Sequence, residues 1–132
     1  MPSLTGVLET SLYVDDLDRA TRFYQQLFGL QVMIRDERIC ALAVREGQVL
    51  LLFKRGASLS PEQFPTHDGS GPLHLAFSIP ESEYAGWEAR LQQLGITIEE
   101  RKQWERGGRS LYFRDPDNHL LELVTPGCWP NY

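Results

Sequence analysis

The chain has 132 residues, a net charge of −5, and apolar and charged fractions of 42% and 23%. That suits one soluble domain with one core and leaves no basic footprint for nucleic acid or an acidic membrane surface. Two cysteines do not make a disulfide framework, no apolar run approaches the ~18 residues of a membrane span, and Met1-Pro2-Ser3-Leu4 lacks a basic segment followed by an apolar stretch, so a cytoplasmic protein is expected.

Val7 to Val14 alternates as a strand does, and Asp15-Asp16 then supplies a helix N-cap signal. Leu17, Ala20, Phe23 or Tyr24, and Leu27 follow at helical spacing, and Gly29 stands where a helix C-terminus places glycine. Leu30–Ile34, Ile39–Val44 and Val49–Phe53 read as three strands, with turns at Asp36-Glu37 and Glu46-Gly47. Residues 55–71, rich in Gly, Ser, Pro, Thr and Asp, read as a linker or mobile loop. The same order then recurs. Leu73–Ile79 is a strand, Pro80 favours a helix start, and Tyr84, Trp87, Leu91 and Leu94 mark a helix that Gly95 ends. Ile96–Glu100, Ser110–Phe113 and His119–Val124 are three further strands, the last two joined by the turn Asp115-Pro116-Asp117-Asn118. The pattern predicts an α+β fold of two βαβββ modules, at about 6–54 and 72–125, with a linker at 55–71 and a tail at 126–132, all within one domain. Mixed sheets curving into a cup, with the helices on the outer face, would satisfy the apolar stripes of both helices.

Strand parity sorts the side chains. Leu8, Leu12 and Val14 share one face, and Glu9, Ser11 and Tyr13 share the other. Leu75, Phe77 and Ile79 oppose His74, Ala76 and Ser78. Leu111 and Phe113 oppose Ser110 and Tyr112, and Leu121 and Leu123 oppose Glu122. If the apolar faces meet the helices, Glu9, His74, Tyr112 and Glu122 gather on the opposite faces. Two carboxylates and an imidazole are a donor set for Mn²⁺, Fe²⁺, Zn²⁺ or Ni²⁺, and three protein ligands leave positions open for water or substrate. The same residues could also simply face solvent on open antiparallel sheets. His119 has the opposite parity to Glu122 and is expected to be structural, His67 lies in the loop, and Lys102, Arg106 and Arg109 are either edge charges or collectors of an anion.

Two runs resemble the vicinal oxygen chelate superfamily, which includes glyoxalase I, extradiol dioxygenases, fosfomycin resistance enzymes and bleomycin resistance proteins. The first is Leu8-Glu9-Thr10-Ser11-Leu12-Tyr13-Val14-Asp15-Asp16-Leu17 with Ala20, Phe23-Tyr24 and Leu27-Phe28-Gly29-Leu30. The second is Leu73-His74-Leu75-Ala76-Phe77 with Ser110-Leu111-Tyr112-Phe113-Arg114-Asp115-Pro116-Asp117-Asn118-His119-Leu120-Leu121-Glu122-Leu123. The resemblance implies metal ligands at Glu9, His74 and Glu122. A fourth family position falls on Leu51, which cannot bind metal, so a three-ligand site is implied rather than a four-ligand glyoxalase I site. It also implies a donor or acid at Tyr112, with Glu122 sharing the catalytic position, and substrate contacts at Ser11, Tyr13, Phe53 and Tyr112. The implied function is a divalent-metal-dependent lyase, transferase or dioxygenase acting on a small oxygen-chelating substrate; two modules make two half-cups that pair within or between subunits, so a homodimer is expected, with Glu9 facing His74 and Glu122 of either the same or the other copy. The residues after Glu122, Thr125-Pro126-Gly127-Cys128-Trp129-Pro130, depart from the basic and polar set of the fosfomycin branch. The alternative is a metal-free protein of the bleomycin-resistance type that sequesters a flat ligand in a cleft of Tyr13, Phe53, Tyr112 and Trp129.

Overall fold

The computed structural model describes residues 1–132, which fall into two compact units, Met1–Ser70 and Gly71–Tyr132. In the first, strand β1 (Glu9–Val14) leads into helix α1 (Leu17–Phe28) and then strands β2 (Gln31–Arg35), β3 (Ile39–Arg45) and β4 (Gln48–Lys54). The helix begins where a carboxylate can satisfy an orphan amide. Asp16 takes an extended conformation and its side chain accepts from the Arg19 N–H at 3.0 Å. It ends where Gly29 turns left-handed at φ 70°, which costs a glycine no steric strain. The sheet order is β1-β4-β3-β2, with β1 parallel to β4 and the other pairs antiparallel.

Alternation divides this sheet into two faces. Leu12, Val14, Cys40, Leu42, Leu50 and Leu52 are buried with Leu17, Ala20, Tyr24 and Leu27 of α1, which packs on β3 and β4. The other face carries Ala41, Leu51 and Phe53, with Tyr13, Ile39 and Val49 packed against them, and it also carries Glu9 and Ser11. Residues 57–59 and 61–63 form short 3-10 turns, so the stretch read as a linker has structure of its own. Arg55 bonds the Gly69 and Tyr13 carbonyls and the Asp15 carboxylate, while the Gly56 N–H bonds Asp68 at 3.0 Å. These long-range ties could not be read from local composition.

The second unit repeats the order with β5 (His74–Ser78), α2 (Tyr84–Gln93), β6 (Glu100–Gln103), β7 (Arg109–Arg114) and β8 (Leu120–Val124). Its sheet runs β5-β8-β7-β6, with β5 and β8 parallel. A 3-10 turn at Glu81–Glu83 follows Pro80, so α2 itself starts at Tyr84. The sixth strand was expected over 96–100 but starts at Glu100. The apolar Ile96 is used to close the helix end instead, its N–H bonding the Leu91 carbonyl at 2.9 Å. Leu111, Phe113, Leu121 and Leu123 are buried on one face, and α2 adds Tyr84 and Leu91 to the interior. The Asp115–Asn118 turn is drawn together by Asp115, whose carboxylate accepts from the Asp117 and His119 N–H groups, both at 2.9 Å. His119 is fully buried, and its Nδ1 accepts from the Leu73 N–H at 2.9 Å, the structural role its parity implies. No helix is long and apolar enough to cross a membrane.

Candidate metal centre

The second unit brings three of the expected residues together. Parallel pairing sets Ala76 opposite Glu122, antiparallel pairing sets Tyr112 opposite Glu122, and His74 lies two residues before Ala76 on the same face. No register shift interrupts β5, β7 or β8, so their alternation survives intact. His74 Nε2 stands 3.2 Å from Glu122 Oε2, with the imidazole half exposed and the carboxylate buried. The other ring nitrogen, Nδ1, lies 2.9 Å from the Leu120 carbonyl oxygen, which can only accept, so Nδ1 carries the proton. In a neutral ring, Nε2 then points a lone pair at a carboxylate oxygen. Two acceptors face one another, an arrangement that a proton or a cation between them would satisfy. A buried carboxylate with a neutral imidazole anchored through its far nitrogen is also how ligating side chains are commonly held.

The remaining groups around Glu122 are polar and tightly bonded. Ser110 Oγ donates to Glu122 Oε1 at 2.6 Å, and the Trp104 indole N–H donates to Ser110 Oγ at 2.8 Å. Burial, then a hydrogen bond to Glu122 and its charge, push the Tyr112 phenol up to about 12; like any phenol it is a protonated donor at neutral pH. Cys128 also reaches this region. Burial and the Glu122 charge raise its thiol pKa, and Lys102 opposes them. A cleft of about 340 Å³ adjoins Tyr112, lined by Glu99, Glu100, Lys102, Tyr112, Arg114 and Leu120. Sequence reading missed Ser110, Trp104 and Cys128 as members of the site. Parity put Ser110 on the correct face beside Tyr112, but nothing local ties Trp104 or Cys128 to it.

The other expected residues lie in the first unit. Glu9, Ser11 and Tyr13 follow one another along the face of β1 turned away from α1, opposite Val49, Leu51 and Phe53 of β4. Glu9 is exposed. Leu51 is buried in the apolar cluster, in keeping with an aliphatic side chain that cannot ligate. Tyr13 stacks on Phe53 at 5.8 Å between centroids, and its hydroxyl lies 2.8 Å from His67 Nδ1, so the loop histidine is anchored to this face. Burial and the Asp68 charge raise the Tyr13 pKa. Neither unit by itself gathers three His, Cys, Asp or Glu side chains into a group able to hold a metal.

Comparison with known proteins agrees with this architecture. The chain is 32% identical over 124 residues to the metallothiol transferase FosB of Shouchella clausii (strain KSM-K16), covering 92% of this chain and 81% of that one. Among solved structures it resembles a lactoylglutathione lyase from Agrobacterium tumefaciens, with a TM-score of 0.90, 30% identity and coverage of 98% and 99%. It also resembles the genomically encoded fosfomycin resistance protein FosX of Listeria monocytogenes, solved with Mn(II) and sulfate ion, with a TM-score of 0.71, 27% identity and coverage of 93% and 91%. The family model that matches, over residues 6–123, is that of the Glyoxalase/Bleomycin resistance protein/Dioxygenase superfamily, and the chain belongs to that superfamily.

Proposed function

We propose that this protein is a cytoplasmic, divalent-metal-dependent enzyme that acts on a small oxygen-chelating substrate by Lewis-acid catalysis, with Glu9, His74 and Glu122 as metal ligands. The observation that carries the reading is the His74–Glu122 pair, a ring nitrogen and a carboxylate oxygen 3.2 Å apart, with the imidazole anchored through its other nitrogen. Membership of the superfamily and the Mn(II) of the FosX structure support a divalent cation as what they share. When bound, the metal would stabilise negative charge on a substrate oxygen. Tyr112, held protonated, donates to an oxygen on which charge develops. Ser11, Tyr13 and Phe53 offer a mostly apolar face with two hydroxyls, that of Tyr13 bonded to His67, for the rest of the substrate. The cleft beside Tyr112 is of a size for a small molecule. The two units act as halves of one functional domain, and the active form is a homodimer in which Glu9 of the same chain or of the partner subunit completes the ligand set.

The test is metal stoichiometry. Protein stripped with a chelator and reloaded with Mn²⁺ should bind close to one equivalent per chain. Loss of a residue that merely supports a ligand lowers affinity about 10–100-fold, so Glu9→Gln and Glu122→Gln should each lower it by at least about tenfold while leaving the fold intact. If the site is shared between copies, refolding the two variants together should recover about a quarter of the wild-type sites, because half of the dimers then carry one intact set. Binding below about a tenth of an equivalent after reloading would overturn the reading and favour a metal-free sequestration protein.

A further inference from the structure

Glu122 is held by more than its place in the strand. Its Oε1 accepts from Ser110 Oγ at 2.6 Å, inside a pair of residues that are 6% and 0% exposed. Ser110 Oγ in turn takes the Trp104 indole N–H at 2.8 Å. The direction of this chain is settled by chemistry. An indole nitrogen only donates and a carboxylate only accepts, so the hydroxyl between them must receive from Trp104 and donate to Glu122. Its length is that of a bond to a charged acceptor. Each partner is independently placed. Ser110 pairs with Lys102 and Val124 in the β-ladders, and Trp104 sits in the β6–β7 turn with its backbone N–H bonded to the Gly108 carbonyl at 2.8 Å. The Lys102 ammonium lies 3.9 Å from the centre of the Trp104 ring, a cation–π contact that orients the indole.

We propose that Ser110 and Trp104 are positioning residues for Glu122. Their hydrogen-bond chain occupies Oε1 and sets the carboxylate plane, so that Oε2 is the oxygen presented beside His74 Nε2. This rests on the proposed metal role of Glu122 and deepens it. Glu122 would then offer Oε2, rather than both oxygens, to a divalent cation held with His74. Trp104 acts only through Ser110, so the two residues must be coupled rather than additive.

The experiment measures Mn²⁺ affinity of the full-length protein by the loss of the free-ion electron paramagnetic resonance signal, alongside the apo-protein unfolding midpoint. Ser110→Ala should weaken binding about 10–100-fold. Trp104→Phe keeps an aromatic ring beside Lys102 but removes the N–H with part of the indole, so it should weaken binding by less than Ser110→Ala, and the unfolding midpoint reports any general loss of packing separately. Combined with Ser110→Ala, Trp104→Phe should add nothing. An unchanged affinity in Ser110→Ala, or an equal loss from Trp104→Phe in both backgrounds, overturns the positioning role. If Ser110→Ala does not fold, the proposal stands or falls on Trp104→Phe, and unchanged affinity there overturns it. Glu122→Gln separates the two levels. If it weakens Mn²⁺ binding while the Ser110 and Trp104 variants do not, the positioning inference alone fails. If it has no effect, the metal reading fails with it.

Discussion

Gly69→Ala tests how segment 55–70 packs against Tyr13 on the first unit's sheet face turned away from α1. A Cβ at Gly69 would lie 2.4 Å from Tyr13 Cδ2, 2.8 Å from Cε2 and 3.1 Å from Cγ. Comfortable carbon–carbon contact is ~3.5–4.0 Å, so the ring must retreat by about an ångström. Tyr13 is not free to do so, because it stacks on Phe53 and its hydroxyl is bonded to His67 Nδ1 at 2.8 Å. Losing the aromatic pair costs about 0.5–1.5 kcal/mol and losing the hydrogen bond about the same. Gly69 is absent from the glycines with positive φ, so alanine there also stabilises by restricting the unfolded chain, by about 0.4–1 kcal/mol. The net expectation is a loss of about 0.5–2 kcal/mol in urea unfolding. In a Tyr13→Ala background the obstruction is gone, and the same substitution should change sign and stabilise by about 0.4–1 kcal/mol. A loss of equal size in both backgrounds, or a gain in the wild type, would refute the packing argument.

Tyr112→Phe should flatten the decline of stability in alkali. The folded pKa of Tyr112, about 12, lies above the ordinary phenol value of ~10. Over that interval the unfolded chain releases its proton first, so stability falls as pH rises. Tyr13 and Tyr84, also raised, leave a residual slope, and urea midpoints measured across that range with identical slopes for both proteins would contradict the assignment. Gly108→Ala should destabilise by about 1–3 kcal/mol, because its Cβ would meet rigid backbone, 2.6 Å from the Gly127 carbonyl carbon and 2.7 Å from the Cys128 nitrogen. Pushing the tail off β7 should also speed labelling of the Cys128 thiol, and an unchanged midpoint with an unchanged labelling rate would count against the tail's seat there.

Much of the fold was written in local chemistry. Asp16 caps α1 and Gly29 ends it, Asp115 closes the last turn, and alternation assigned Glu9, Ser11 and Tyr13 to one face and His74, Tyr112 and Glu122 to another. The one misplaced strand, β6, is exposed along its length, so burial imposed no apolar alternation to read. The register shifts fall in β2–β3 and at the end of β3, away from the strands that carry the candidate site, which is why parity there could be trusted.

Parity names a face, but it does not say which residue of one strand stands opposite which residue of another. Only strand pairing put Tyr112 and Ala76 beside Glu122 and brought the His74 imidazole to its carboxylate. Only the turn after β6 carried the Trp104 N–H to Ser110, and only the folded-back segment 55–70 set His67 against Tyr13. A hydrogen bond depends on a few tenths of an ångström between groups distant along the chain. The amino-acid sequence by itself determined the elements, their order and the side each residue faces, whereas the distances that let those residues act on one another were decided by tertiary packing.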